Sequence, residues 1–460
     1  MKLLDKFNGL EKKSFLFKPT IYNIAFIAIF SAFGFWLWHL GFNYYFFDEW
    51  GWLMEISQGG LKYFNPHNEH ILPISKLFYL FQLYISQGNT NLMLYPIIAI
   101  HLITSLCFGW LIYLLLQKKI YFYLGSLLFM VHFSHFENIF WGFQAQIILN
   151  VLFLLLSLIL LKLYLQNDKY SYLITSYILL IFTAFTFGSG LLYPILIIIF
   201  FLLFRQKHHS LRLIYPYILI FYIDLLLYIH LAKTTIFYTT GIITLNDLTD
   251  IAIYFFRGIY GNIPRSILID YSPKFFDSLT IGFGLILATA WIFFTGLFYK
   301  KEKIKYSKLI IFGYSAYCLV FLLLAPSRFV GGFSQSFTDR YHYLFLAGLL
   351  ILIFTIIDYF LSNIKLKKYK FSLYFLLCFL TFLFLAVSTK AIARKSIEIS
   401  QRNAYEYNEL MKYYKNSEYN PNLYFYRYIY FDKKLILDAA LDQKSLNPKN
   451  TQRALLYNTQ

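Results

Sequence analysis

Residues 146–165 read QIILNVLFLLLSLILLKLYL and carry a single charge, Lys162, close to the end of the stretch. An α-helix rises about 1.5 Å per residue, so a run of this length covers about 30 Å. That distance is the thickness of the hydrocarbon core of a bilayer. The stretch therefore predicts a transmembrane helix.

Apolar runs of this kind recur along the whole chain. We place eleven candidate spans at residues 20–40, 92–116, 120–133, 146–165, 172–187, 191–204, 213–232, 278–299, 309–325, 341–361 and 371–388. The chain is 59% hydrophobic and only 14% charged, which excludes a soluble globular domain. The sequence predicts an all-α polytopic membrane protein with about 11 transmembrane helices.

The basic residues set the expected topology, because Lys and Arg accumulate on the cytoplasmic side of a membrane. They gather in alternate connections, at the N-terminus, Lys118–Lys119, Lys162 with Lys169, 205–207, 300–308 and 365–370. Segment 1–19 is then cytoplasmic and residues 20–388 form the transmembrane domain. The polar segment 389–460 is expected to be a small extracytoplasmic helical C-terminal domain. The net charge of +18 reflects this topology and does not indicate nucleic-acid binding.

The first outer loop, residues 41–91, begins with the stretch FFDEWGW at 46–52, which places Asp48 and Glu49 directly after the first span. Further along, ISKLFYLFQLYIS at 74–86 is amphipathic and predicts a helix lying in the membrane interface. Such a loop holds carboxylates at headgroup level. This position suits a site that acts on a lipid-borne substrate.

Two groups of outer residues are candidates for chemistry on a phosphate-bearing lipid. Asp48 or Glu49 is a candidate general base. Arg328 and Arg340, between the ninth and tenth spans, are candidates to hold a phosphate through paired N–H donors. The alternative for these arginines is an ion pair with Asp339 or contact with lipid headgroups.

Three further residues of the first outer loop, His67, Glu69 and His70, offer nitrogen and oxygen atoms. Together with Asp48 or Glu49 they are possible ligands of a divalent metal. The His-x-x-His spacing supplies no third fixed ligand, so no metal is assigned. Hydrogen bonding to a substrate or packing under the loop is the alternative.

The second outer loop and two spans carry other polar residues. Gln144 and Gln146 are expected to face the protein interior, where they either recognise sugar hydroxyls or join helices. Within the spans, Asp224 is the residue that favours a transporter. Asp358 lies near a cytoplasmic end and predicts an interfacial position.

With these residues in hand, the chain resembles the GT-C superfamily of membrane glycosyltransferases. The resemblance rests on Asp48-Glu49 after the first span and on four segments. These segments are HNEHILP (67–73), ENIFWGFQAQ (137–146), FGSGLLYP (187–194) and SRFVGGFSQSFTDRYHYL (327–344). It covers most of residues 20–390. No WWD-type motif occurs in the tail, which argues against protein N-glycosylation.

The resemblance implies an inverting glycosyltransferase in the cytoplasmic (inner) membrane of a bacterium, with the active site and C-terminus extracytoplasmic. It implies a polyprenyl-phosphate sugar donor and a glycan or lipid-linked acceptor. By this analogy Asp48 is the base and Glu49 orients the acceptor. Substrate or phosphate binding is expected at His67, Glu69, His70, Gln144, Arg328, Arg340 and Tyr341. The alternatives are a polysaccharide polymerase or ligase, and a transporter or flippase for a lipid-linked saccharide.

Overall fold

A computed structural model of the chain describes residues 21–40, 52, 70–86, 90–231, 245–267, 304–328, 339–363 and 367–416. Within these ranges the chain is helical and has no β-strand. The α-helices are α1 Ile21–Leu40, α2 Pro73–Ser86, α3 Thr90–Leu116, α4 Lys119–Met130, α5 Phe136–Phe140, α6 Ala145–Asn167, α7 Tyr170–Ala184, α8 Tyr193–Phe204, α9 Tyr215–Leu231, α10 Leu245–Ile267, α11 Ile304–Arg328, α12 Asp339–Asn363 and α13 Lys367–Asn416. Short 3-10 helices at Phe133–His135, Gly142–Gln144, Gly188–Leu192 and Leu211–Ile214 lie in the connections from α4 to α9.

Six helical segments in the described ranges are long and apolar enough to cross a membrane. They are Asn23–Leu40, Leu92–Leu116, Gly142–Asn167, Leu211–His230, Phe345–Asn363 and Ser372–Glu398. The predicted class of helical membrane protein is confirmed at this level. Shorter apolar helices occupy the predicted runs 120–133, 172–187 and 191–204. The predicted span 278–299 lies outside the described residues, so the number of about 11 spans stays a prediction.

The chain divides into two units, Met1–Leu40 and Gly41–Gln460. In the first unit the structure describes α1, whose sequence has no charged residue. Aromatic rings line this helix, with the ring centroids of Phe26 and Phe30 5.4 Å apart. The second unit holds the other helices, and every residue discussed below belongs to it.

Helices that follow one another in the chain pack as hairpins. The pairs α3 with α4, α6 with α7, and α11 with α12 have extensive contact. At the α11–α12 crossing, a Cβ on Gly348 would lie 2.6 Å from the backbone nitrogen of Tyr317 and 2.8 Å from the carbonyl oxygen of Gly313. A side chain there would clash with backbone, so only glycine permits this close helix crossing.

The hairpins bring the polar residues of the second unit to two opposite ends. The lysine end consists of Lys118, Lys162, Lys305, Lys308 and Asp358, which lie where α3, α6 and α12 end and where α11 begins. The histidine end holds His70, His101, His132, His135 and His342. The predicted alternation of the loops across the membrane stays a prediction. Which end faces the cytoplasm stays a prediction.

Asp358 at the lysine end is buried within the protein, and its predicted depth at the membrane interface stays a prediction. It forms an ion pair with Lys118, and the hydroxyls of Tyr121 and Tyr306 each donate to its carboxylate at 3.0 Å. Desolvation acts to lower the pKa of Lys118, but the hydrogen bond and charge of Asp358 prevail and raise it. Asp358 therefore joins α12 to α11 and to the start of α4 through three partners.

The last helix, α13, is 50 residues long and passes residue 388 without a break. The boundary predicted between the last span and a C-terminal domain thus falls inside a continuous helix that ends at Asn416. Residues 417–460 lie outside the described part of the chain, so the C-terminal domain stays a prediction.

Candidate functional site

Trp52 belongs to the first predicted outer loop. Of the loop residues that the structure describes, it is the nearest in sequence to Asp48 and Glu49. Its side chain is 1% exposed. The indole ring packs against Tyr79 and Phe143, with centroid distances of 5.2 and 4.5 Å. Lys76 Nζ lies 5.8 Å from the centroid of the same ring, a cation–π arrangement. Trp52 thus joins the first outer loop to the second.

Helix α2 has its polar face inside and its apolar face outside. The buried side chains recur at helical spacing and include Ser75, Lys76, Tyr79, Gln82 and Ser86. The exposed ones are Leu77, Phe81, Tyr84 and Ile85. This arrangement is unfavourable in water and suits a lipid environment. The predicted helix is confirmed; its position in the membrane interface stays a prediction.

The start of α2 is fastened to the connection between α7 and α8. Ser75 Oγ donates to the carbonyl oxygen of Thr186 at 2.7 Å, and the N–H of Ile74 donates to that of Phe185 at 3.2 Å. These bonds position the first outer loop against the FGSGLLYP segment. They hold the start of α2, in the first predicted outer loop, against the connection between α7 and α8.

His70 lies at this junction, half-buried. A hydrogen bond of 2.9 Å joins His70 Nδ1 to the hydroxyl of Tyr228, and the ring lies 4.6 Å from that of Phe187. A Cβ on Gly188 would come within 2.6 Å of both His70 Nδ1 and the Tyr228 hydroxyl. Glycine at this position is what allows the imidazole and the phenol to meet.

A buried amide organises the same connection from the side of α6. Asn150 Nδ2 donates to the carbonyl oxygen of Thr183 at 2.7 Å and to Thr186 Oγ1 at 3.0 Å. Its Oδ1 accepts from Ser189 Oγ at 2.7 Å. A buried amide with these partners rigidifies the connection.

Four histidines and one tyrosine form a buried cluster further inside the histidine end. His101 Nε2 donates to the carbonyl oxygen of Met130 at 2.8 Å, so its Nδ1 accepts from the Tyr343 hydroxyl at 2.9 Å. The His135 ring lies 5.2 Å from that of His101 and 4.3 Å from that of Tyr343. His132 stacks on His342 at 5.8 Å.

His135 differs from His101 in its hydrogen bonding. It is fully buried, and neither ring nitrogen has a hydrogen-bond partner among the described residues. Burial lowers the pKa of His135 well below its ordinary value, and repulsion from His101, His132 and His342 adds to this effect. The imidazole is therefore neutral at pH 7, with one donor and one acceptor to offer.

The predicted site residues fall into two groups. Asp48, Glu49, His67 and Glu69 lie outside the described residues, as do the side chains of Arg328 and Arg340 at the ends of α11 and α12. The other three, His70, Gln144 and Tyr341, all lie at the histidine end, and the last two are buried. Gln144 Oε1 has no hydrogen-bond partner within the described ranges.

Sequence reasoning missed Lys76, His101 and His342. Lys76 is fully buried, although it belongs to a helix that was expected to lie in the interface. Its helical spacing from Ser75, Tyr79 and Gln82 places it on one polar face of the helix, and this periodicity could have identified it from the sequence. His101 and His342 lie in separate spans, and no spacing relates them.

Comparisons with protein families, curated proteins and solved structures give no match for this chain.

Proposed function

We propose that the protein is an inverting membrane glycosyltransferase that moves a sugar from a polyprenyl-phosphate donor to an extracytoplasmic glycan or lipid-linked acceptor. The proposal places the active site at the histidine end, on the outer side of the cytoplasmic membrane of a bacterium. It does not require a metal.

The observation that carries the proposal is the composition of α2 and its surroundings. The helix turns Leu77, Phe81 and Tyr84 outward and buries a lysine beside Trp52. An apolar outer face is compatible with a lipid chain, and a buried ammonium is typical of a functional site inside a membrane. This combination fits a substrate with a lipid tail and an anionic head.

The chain length between Trp52 and the carboxylates supports the same location. Four residues of chain span at most about 14 Å, so Asp48 cannot lie farther than this from Trp52. Trp52 itself packs against α2 through Tyr79 and against the second outer loop through Phe143. The proposal therefore puts Asp48 near the histidine end.

The proposed reaction is a single displacement. The acceptor oxygen attacks the anomeric carbon, the bond from that carbon to the phosphate oxygen breaks, and the hydroxyl proton passes to Asp48. Polyprenyl phosphate leaves, and Arg328 and Arg340 balance its charge. Glu49, His67, Glu69 and His70 shape the acceptor side.

Two other residues supply hydrogen bonds in this proposal. Gln144 and Tyr341 orient substrate hydroxyls. Gln144 Oε1 has no hydrogen-bond partner among the described residues and is an acceptor suited to such a hydroxyl.

Mass spectrometry of surface glycans and lipid-linked saccharides tests this proposal in cells that lack the protein. Wild type and Asp48→Asn are supplied at matched expression. Asp250→Asn, which changes an exposed carboxylate in α10, is the control. We expect wild type and Asp250→Asn to restore one sugar and Asp48→Asn to fail. Full restoration by Asp48→Asn would contradict the assignment of the base.

One observation favours a second candidate function, a transporter of a lipid-linked saccharide. Asp224 in α9 is 4% exposed, and its Oδ2 has no hydrogen-bond partner among the described residues. Ionisable side chains inside a membrane often mark a transport pathway. Under this function, Asp224→Asn abolishes movement of the saccharide across reconstituted vesicles. Under the transferase proposal, it leaves sugar transfer on the outer face intact.

A further inference from the structure

Two turns meet at the lysine end, far along the helices from the proposed active site. The first joins α6 to α7 and contains Asp168. The second joins α8 to α9 and contains His208 and His209. Asp168 caps the C-terminus of α6 with φ 57°, a left-handed conformation, and its backbone N–H donates to the carbonyl oxygen of Tyr164. This cap directs the chain so that the carboxylate faces the second turn.

The three side chains place their ligand atoms close together. Asp168 Oδ1 lies 2.8 Å from His209 Nε2 and 3.3 Å from His208 Nε2. All three ligand atoms lie within 4.8 Å of one another, and among the described residues no other group of His, Cys, Asp and Glu does so. With metal–ligand bonds of about 2.1 Å, neighbouring ligand atoms lie about 3.0 Å apart in an octahedron and about 3.4 Å apart in a tetrahedron. The two measured distances are close to these values.

One ligand is fixed by its surroundings, and the other two are open to solvent. The His209 side chain is 1% exposed, and its ring lies 5.4 Å from that of Tyr164. Gln206 fastens the turn to α6, because its Nε2 donates to the carbonyl oxygen of Leu165 at 3.2 Å. His208 and Asp168 are more than half exposed. An ion can therefore reach the group without unfolding of the helices.

We propose that Asp168, His208 and His209 form a binding site for a divalent transition metal ion, with water in the remaining coordination positions. Two imidazoles and one carboxylate suit zinc, nickel, cobalt or copper better than magnesium or calcium, which prefer oxygen ligands. The ion links the α6–α7 turn to the α8–α9 turn. Nothing in the proposed glycosyltransfer requires this site.

Metal binding moves a proton on His209. His209 Nδ1 now accepts the backbone N–H of Gln206 at 3.1 Å, so the ring proton resides on Nε2 and points to Asp168. Coordination through Nε2 takes up that nitrogen's lone pair and shifts the proton to Nδ1. The Gln206 amide then loses its acceptor and turns to water. Binding is therefore expected to accelerate hydrogen exchange at the Gln206 amide.

The Asp168 carboxylate is open to an incoming cation, because it is more than half exposed. It accepts hydrogen bonds from His208 and His209. Without metal, the same three residues form a simple hydrogen-bonded group, and the experiment must separate these two states.

The test uses the full chain without a polyhistidine tag, purified in detergent and freed of metal by a chelator. Zn²⁺ is titrated by equilibrium dialysis with elemental analysis, and Cu²⁺ binding is followed by electron paramagnetic resonance. We expect one tightly bound ion and nitrogen couplings from two imidazoles. Asp168→Asn and His208→Asn should each weaken binding by about tenfold or more.

The variants are chosen so that the protein still folds. Asparagine tolerates the left-handed conformation at position 168, and His208 is exposed, so neither change disturbs buried packing. His230→Asn removes an exposed histidine of α9 and should leave binding unchanged. Absence of stoichiometric binding, or equal binding by all variants, would overturn the proposal.

Discussion

The lysine end and the histidine end both bury polar side chains, but they differ in how far the described residues satisfy the hydrogen bonding of those side chains. Asp358 there receives Lys118 and two tyrosine hydroxyls. At the histidine end, His135 and Gln144 leave ring nitrogens and a carbonyl oxygen without hydrogen-bond partners among the described residues. A buried group without a partner costs free energy, and a folded protein retains such groups mainly where they serve function. The comparison indicates a structural role for the lysine end and a ligand-binding role for the histidine end.

The largest expected effect is a difference in the rate of sugar transfer between two lysine substitutions. Lys76→Met keeps most of the buried volume and removes the charge beside Trp52. We expect sugar transfer to fall about a hundredfold, or about 2.7 kcal/mol in activation free energy, because a cation near the departing phosphate is lost. Lys119→Met, at an exposed position near the lysine end, is the control. The rate of sugar transfer is measured per amount of folded protein. Equal rates for the two variants would contradict a functional difference between the histidine end and the lysine end.

A second substitution tests whether the lysine end has a structural role, by its effect on the stability of the protein. Asp358→Asn removes the charge that holds Lys118, Tyr121 and Tyr306. Lys118 is about a third exposed and can turn to water, so we expect a loss of about 2 kcal/mol, less than for a fully buried pair. Thermal unfolding in detergent measures this loss. The rate of sugar transfer by the remaining folded protein should stay within about twofold of wild type, and a large loss of rate would place function at this end too.

The dependence of stability on pH tests His135. Its pKa is lowered in the folded state, so on acidification the unfolded chain binds a proton that the folded chain does not. Stability is therefore full above pH of about 6.5 and falls below it, by up to about 1.4 kcal/mol per pH unit.

His135→Phe retains a ring of similar size and removes this titration. Its melting temperature should fall less than that of wild type between pH 6.5 and pH 5. Identical pH profiles for wild type and variant would show that His135 is not held neutral by its surroundings.

The smallest effect is expected at Gln144. Gln144→Met removes an amide whose oxygen has no partner within the described ranges, so the melting temperature should change little. Sugar transfer should fall about threefold to tenfold if the amide binds a substrate hydroxyl. A variant that loses stability but keeps its rate would identify Gln144 as a structural residue.

The spans could be predicted from the sequence because each one depends on local composition. The run 146–165 lies within α6, and the run 92–116 within α3. The alternation of basic loops predicts a topology, which stays a prediction. These features need no knowledge of which helices touch.

The candidate site was harder to predict because it depends on contacts between distant parts of the chain. Periodicity identified the two faces of α2 but not that its polar face is buried. His101, His135 and His342 come together only because α3, the α4–α5 connection and α12 pack at one end. The pairing of Asp358 with Lys118 could not be predicted, because the two residues are 240 positions apart in the sequence.

We propose that the histidine end binds the phosphate head of a polyprenyl donor. The most direct test is photo-crosslinking of the full chain, in membranes, with a polyprenyl phosphate that carries a diazirine near its phosphate. We expect crosslinks in α2 and the α7–α8 connection that unlabelled polyprenyl phosphate competes away and that Lys76→Met reduces. Crosslinks confined to the lysine end, or crosslinks that resist competition, would contradict it.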